Sequence, residues 1–361
     1  MESLVNDNNR LAVIKGKRVL ITGDTGFKGS WLAMVLHGLG ANVVGFALPP
    51  EHPNDHYNLL GLDRIIHHVS GDIRDLDSVM QVFQEFKPEF LFHLAAQPLV
   101  RFSYEQPKLT FDTNVGGSVN ILEAIRNTDS LRSVIYVTTD KCYKNKEWIW
   151  GYRENDELGG RDPYSASKAA AELVFSAYLE SFFKKREYLG VASVRAGNVI
   201  GGGDWALDRI VPDSIKALQS NLPIIIRNPI ATRPWQHVLE PLMGYLMLAK
   251  KLYYEPNTYS GSWNFGPRVE SIQTVHALVE KIICYWGQGE IQLDQSYGAP
   301  HEANLLQLNC DKAHQILKWS PIWDFDRTIR ETVRWYKEQS NGISARAITE
   351  SQIEEYMGEL K

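Results

Sequence analysis

Cysteine is scarce in this chain of 361 residues: Cys142, Cys284 and Cys310 are odd in number, far apart and never in a CxxC pair. That excludes a disulfide framework, argues against a zinc site and fits a reducing cytosol, so no metal is expected. Long apolar runs are missing too, and none approaches the roughly 20 residues of a membrane span. The opening segment MESLVNDNNRLAVIKGKRVLITG lacks the apolar core of a secretory signal, so a soluble, cytoplasmic protein is expected. Clusters of one charge are absent: the formal net charge is −5 and no Lys/Arg run stands out, which argues against nucleic acid and anionic membranes as partners. No internal repeat or low-complexity stretch is present. The expected partner is a small molecule.

What is present is an alternation of short apolar runs and longer amphipathic ones. Residues 18–22 (RVLIT), 42–48 (NVVGFAL), 90–96 (FLFHLAA), 133–139 (SVIYVTT) and 190–197 (GVASVRAG) read as buried strands. Helices are expected over 30–39, 76–86, 115–126 and 165–185. Such alternation builds an α/β fold, a parallel sheet covered by helices on both faces. From about Gly201, Gly and Pro become frequent and periodic segments shorten, as in a second, smaller lobe.

The first strand runs into TGDTGFKGS, with Gly23, Gly26 and Gly29 spaced three apart ahead of a helix. Glycines there permit a tight turn and let backbone amides and the helix N-terminus face a pyrophosphate, while a plain strand-to-helix turn is the alternative. The second strand ends in GFALPPE, with Leu48 and two prolines where an acid for the adenosine ribose is usual, so this position does not choose NAD over NADP. Asp72 in SGDIRD can serve the adenine amino group or merely cap a helix. Downstream, DPYSASKAAAEL places Tyr164 and Lys168 four apart on one helix face. A phenol is a weak base with a pKa near ~10, and a neighbouring ammonium is expected to lower it. Such a pair suits removal of a hydroxyl proton while hydride leaves the same carbon for a nicotinamide.

Together, TGxxGxxG, HLAAQ at His93–Gln97, TNVGGSVNILEA from Thr113 and YxxxK at Tyr164 resemble the extended short-chain dehydrogenase/reductase family. The resemblance implies a Rossmann-type doubly wound parallel sheet with a smaller mixed α/β C-terminal substrate-binding lobe. It places the dinucleotide-binding domain at 1–200, with about 228–255 returning to it, and mainly the substrate lobe at 201–361. It also implies NAD held by Gly23, Thr25, Gly26, Phe27, Gly29, Asp72, Ile73, Leu94, Ala95, Ala96, Asn114, Tyr164 and Lys168. A homodimer through a bundle of the 115–126 and 165–185 helices, or a tetramer, follows in the same way.

Within that family the stretch VTTDKCYKN, Val137–Asn145, is informative. It resembles the Thr-Asp-Glu of nucleotide-sugar 4,6-dehydratases through Thr139 and Asp140, but has Lys141 where the glutamate would stand. The substitution is similar to the branch acting on CDP-glucose, as are AAQPLVRFSY, RAGNVIGGGDWALDRIVPD and ATRPWQHVLEPLMGYLMLA. The resemblance therefore implies a lyase that oxidises C4 of CDP-glucose, eliminates water across C5 and C6 and returns hydride to C6, in the service of 3,6-dideoxyhexose and O-antigen synthesis. Thr139, Tyr164 and Lys168 would perform the redox half, Asp140 and Lys141 the elimination. Substrate contacts are expected from Gln97, Asn198, Arg209 and Arg233, since guanidinium groups match a pyrophosphate. Trp205 and Trp235 can pack on the sugar or base but read first as core or lobe packing, and His237 and His301 as structural or supporting residues. A 4-epimerase or decarboxylase of the same family, or a non-catalytic dinucleotide-binding regulator, are the competing readings; neither needs Asp140 and Lys141 together.

Overall fold

The computed structural model describes residues 11–294 and 305–360, so His301 lies outside the described residues. Seven strands form one parallel sheet: β1 Arg18–Thr22, β2 Asn42–Ala47, β3 His67–Ser70, β4 Phe90–His93, β5 Ser133–Val137, β6 Gly190–Ala196 and β7 Gly261–Phe265. Their order is β7-β6-β5-β4-β1-β2-β3, so the direction of winding reverses between β1 and β4. A crevice at that reversal is where open α/β sheets bind ligands.

Alternation along each strand supplies both faces. Leu20, Val44, Leu91, Val134, Tyr136 and Val191 meet the helices α2 Leu76–Phe86, α3 Gly117–Arg126 and α4 Pro163–Ser181. Val19, Ile21, Val43, Phe90, Phe92, Ile135 and Val194 face α1 Phe27–Gly38, α5 Leu239–Tyr254 and the second half of the chain. Burying one such side chain favours folding by about 1.5–3 kcal/mol, against about 1 kcal/mol for a helix cap. The apolar faces therefore decide the layering, and caps decide only where helices begin. Asp75 caps α2 by accepting from the Asp77 and Ser78 amides, and Asp162, followed by Pro163, caps α4 through the Ser165 amide.

The differences from the sequence reading are local. Strand runs expected to reach Ala96 and Thr139 stop at His93 and Val137, because the residues beyond them leave the sheet to line the crevice. The helix expected from Val115 is preceded by a π turn, Asp112–Gly116, and the one expected from Ser165 starts at its Asp-Pro cap. The segment returning to the main sheet runs beyond residue 255 to include β7, whose sequence GSWNF carries no long apolar run. The first turns of α5 are buried nearly all round. There Glu240 accepts hydrogen bonds from the Ile322 and Trp323 amides and the Tyr356 hydroxyl. The second half adds short paired segments, Thr232–Pro234 antiparallel to Ile272–Thr274 and Ile224–Ile226 parallel to Ile291–Leu293, with helices packed around them. Among the described residues no helix is long and apolar enough to cross a membrane.

Three buried histidines, His56, His93 and His237, are held neutral: burial pushes each down to about 3. Between pH 6.5 and 3 the unfolded chain binds protons that the folded chain refuses, so their contribution is full above 6.5 and lost as the pH falls. Going from pH 7.5 to 5.5 costs about 1 kcal/mol per histidine. Chemical denaturation is expected to show a clearly lower midpoint at pH 5.5; equal midpoints would mean that the folded protein accepts these protons.

Candidate active site

At the sheet's reversal, the chain leaves β1 into the glycine turn. Gly23 has φ +81° and a Cβ there would sit 2.7 Å from the Ala95 amide nitrogen. A Cβ on Gly29 would come 2.0 Å from the Gly23 carbonyl oxygen, so the turn closes only without side chains at these places. Gly26 is the N-cap of α1 and supplies no side-chain cap, which leaves first-turn amides pointing at the crevice. The Thr25 hydroxyl donates to the Leu48 carbonyl and ties the turn to the end of β2. Phe27 packs against the core, and Leu94–Ala96 run beside the turn, with the Ala95 amide donating to Thr22 Oγ1 at 3.3 Å. Asp72 and Ile73 follow β3. The Asp72 carboxylate is engaged by Arg74 through its amide at 2.9 Å and its guanidinium at 2.8 Å, which holds Asp72 below the usual carboxylate range. Ile73 is buried against Gly117 of α3.

Beyond β5 the chain forms a 3-10 turn, Asp140–Cys142, capped by Thr139, whose oxygen accepts from the Lys141 amide at 3.4 Å. Asp140 and Lys141 therefore sit on a turn beyond the end of β5. The Thr139 hydroxyl donates to Asp140 Oδ1 at 3.0 Å, while Oδ2 is buried with no hydrogen-bond partner. Gly197, at the end of β6, makes room for it: a Cβ there would lie 2.2 Å from Oδ2.

Tyr164 and Lys168 rise from the first turns of α4, both buried. The Tyr164 amide donates to Ser103 Oγ at 3.2 Å. The expected lowering of the phenol by Lys168 is not what the chain alone provides. Burial pushes Tyr164 up to about 12, with hydrogen bonding to Thr139 offsetting part of the rise and the Asp140 charge adding to it. Burial pushes Lys168 down to about 8, against the opposing pull of Glu172 and Cys142. In both groups loss of hydration is the largest influence. Asn114, on the π turn, donates to Ser167 Oγ at 2.9 Å and to the Gln97 carbonyl at 3.1 Å, and Ser167 in turn donates to the Tyr164 carbonyl. It is thus linked through Ser167 to the Tyr164 backbone.

The substrate candidates are spread differently. Arg209 pairs with Asp204 at 2.9 Å and its charge acts on Tyr164, so it borders the reaction site. Arg233, on Thr232–Pro234, donates to the Thr232 carbonyl, and Asn198 follows β6 with its carbonyl accepting from the Gln236 amide. Gln97 is held in the loop after β4: its side-chain amide donates to Leu99 O and Thr110 Oγ1 and its oxygen accepts from the Leu99 amide. Trp205 packs edge-on against Tyr336, and Trp235 donates to the Gln273 carbonyl, as packing residues do.

Several site residues escaped the motif reading. Lys28, within the glycine motif, is pushed down to about 8 by burial and by Arg209, with Asp140 opposing and Lys168 adding to the fall. Glu172 and Arg195 form a buried ion pair at 2.7 Å behind the catalytic helix. The available signal for Glu172 was its spacing, four residues after Lys168 on one face.

Known proteins resemble the chain throughout. Residues 20–332 match the family described as GDP-mannose 4,6 dehydratase. A CDP-glucose 4,6-dehydratase of Salmonella typhimurium is 48% identical, over 95% of this chain and 97% of that one. Among solved structures, a UDP-glucose 4-epimerase of Thermus thermophilus in complex with NAD superposes with a TM-score of 0.74 at 25% identity, covering 89% of this chain and 99% of that one. A dTDP-glucose 4,6-dehydratase of Bacillus anthracis in complex with NAD also gives 0.74, at 21% identity, and covers 90% of this chain and 97% of that one.

Proposed function

The chain belongs to the GDP-mannose 4,6-dehydratase family, and from that premise we propose that it is a CDP-glucose 4,6-dehydratase, a hydro-lyase converting CDP-glucose to CDP-4-dehydro-6-deoxyglucose and water. One observation carries the choice of elimination over epimerisation: a carboxyl and an amine, Asp140 and Lys141, stand on one capped turn beside Tyr164 and Lys168.

NAD fits the residues present. The glycine turn is packed so closely that only bare backbone can line it, and the uncapped start of α1 offers amides to a pyrophosphate. Gly23, Thr25, Gly26, Phe27 and Gly29 would hold that part, Asp72 and Ile73 the adenosine end, and Leu94, Ala95, Ala96, Asn114, Tyr164 and Lys168 the rest. When bound, the cofactor supplies the redox exchange, accepting hydride from C4 and returning it to C6.

The chain's own groups do the proton work. Tyr164, hydrogen-bonded to Thr139 and one helical turn from Lys168, takes the proton of the C4 hydroxyl. A C4 ketone acidifies the C5 hydrogen, whose removal falls to Lys141. Asp140 serves the leaving C6 hydroxyl as proton donor, with Oδ2 free of protein partners for that contact, and Tyr164 then gives back its proton at C5 or the enolate oxygen. Arg209 and Arg233 match the substrate diphosphate, Asn198 lies beside them, and Gln97 orders the loop between nucleotide and sugar. We assign residues 1–200 with α5 and β7 to the cofactor half and most of the remainder to the substrate lobe. A homodimer through α3 and α4 fits the exposure of Leu173 on α4.

The test uses purified protein with CDP-glucose, UDP-glucose or dTDP-glucose in deuterated water. Dehydration of CDP-glucose gives a product lighter by one water with deuterium at C5, while a 4-epimer of unchanged mass would defeat the reading.

A further inference from the structure

We propose that Glu172 is a positioning residue: its buried carboxylate, anchored by Arg195, offsets the burial that strips the proton from Lys168, shifting the proton balance of Tyr164 and Lys168 towards the lysine, and fixes the strand end that carries Asp140 and Lys141. The proposal rests on the functional reading above.

Tyr164, Lys168 and Glu172 follow one another at four-residue spacing along α4, so successive side chains stack on one helical face. Glu172 is buried and its carboxylate is fully engaged. It accepts from Thr138 Oγ1, from Ser193 Oγ at 2.9 Å and from Arg195 Nη2 at 2.7 Å. Arg195 is held in turn by the Tyr143 hydroxyl at 2.6 Å, the Glu154 carbonyl at 3.0 Å and Ser262 Oγ at 3.1 Å, and its guanidinium lies over the Tyr143 ring. Tyr143 donates to Asn264 of β7 at 2.8 Å. One network therefore bolts the catalytic helix to β5, β6 and β7. Thr138 is the residue before Thr139, so the carboxylate also fixes the start of the reactive turn.

The charges facing Lys168 come from every side. They are Glu172 on its own helix, Cys142 on the 3-10 turn, neutral His93 at the end of β4, Lys28 on α1, and Arg195 behind Glu172, with Tyr164 one turn earlier on α4. Lys28 repels an ammonium at Lys168, and burial penalises it further. Glu172 is the engaged anion that opposes both. Although burial alone would raise its pKa, Arg195 holds it below the usual range, so it is ionised at every working pH. Tyr164 and Lys168 must lose one proton between them before the phenol can act as base, and the pair titrates as a unit. Where the remaining proton sits decides how much phenolate exists. A carboxylate beneath Lys168 favours ammonium and phenolate over amine and phenol.

That arrangement makes two linked forecasts for Glu172→Gln, which keeps the hydroxyl contacts and removes the charge. With NAD and CDP-glucose, the acid limb of the kcat profile should move down by about one pH unit, and the plateau should fall about tenfold, because the same change that eases loss of the first proton makes phenolate rarer. KM should stay near its original value, and Glu172→Asp should restore the limb. If Glu172→Gln leaves Arg195 unpaired and does not fold, Glu172→Gln/Arg195→Met removes both buried charges and serves the same comparison. Loss of rate with an unmoved limb would reduce Glu172 to packing and overturn the proposal. An independent readout is the ¹³C titration of Lys168 in lysine-labelled protein, assigned by Lys168→Arg: a lower midpoint in the variant supports the proposal and an equal one refutes it. Failure of the original protein to dehydrate CDP-glucose would count against the function and leave this titration standing as the test.

Discussion

Tyr164→Phe is expected to lower kcat for loss of water from CDP-glucose by about 10³-fold, within the range that general acid–base groups supply. The substitution removes one oxygen. The ring stays packed on α4, the backbone contact to Ser103 remains, and the lost interaction is the phenol's hydrogen bond with Thr139. A thermal melt should therefore be little changed, so the loss can be assigned to chemistry. Exchange of the C5 hydrogen with solvent should vanish as well, since without oxidation at C4 no ketone acidifies that position. A variant within tenfold of the original would mean that another group takes the C4 proton, and Lys28, the half-buried amine whose charge acts on Lys168, would be examined next.

The second large effect separates the elimination half from the redox half. Lys141→Met is expected to reduce water loss by about 10²-fold or more and to stop deuterium entering C5, because no base remains for that proton. Asp140→Asn should reduce water loss comparably yet leave C5 exchange running, so that CDP-glucose recovered from deuterated water carries deuterium at C5. The asparagine is nearly isosteric, which matters where Gly197 leaves no spare volume next to Oδ2. Mass spectrometry of recovered substrate and product reads both variants. Identical exchange behaviour in the two would show that Asp140 and Lys141 act as one unit and not as acid and base.

The two forecasts lean on different kinds of legibility. Asp140, Lys141, Tyr164 and Lys168 are visible in sequence because their spacing along a strand end and a helix start is local geometry. Their protonation states are not. An ammonium four residues away argues for a lowered phenol, yet burial of Tyr164 and Lys168 moves both the other way, and burial depends on what packs above them. Gln97 shows the same limit: nothing in its local sequence foretells that the loop after β4 sets Thr110 and Leu99 against its amide.

The strand and helix order, the parallel sheet, the phosphate turn and the reactive side chains follow from the chain by itself, because periods of two and 3.6 and the demands of glycine are short-range properties. Only the tertiary structure decided that GSWNF joins the main sheet, that Lys28 shares the site, and that Glu172 and Arg195, 23 residues apart in sequence, form the charged support behind Lys168. In each case the cause is long-range: which groups meet out of water fixes both their partners and their charge, and no local pattern carries that information.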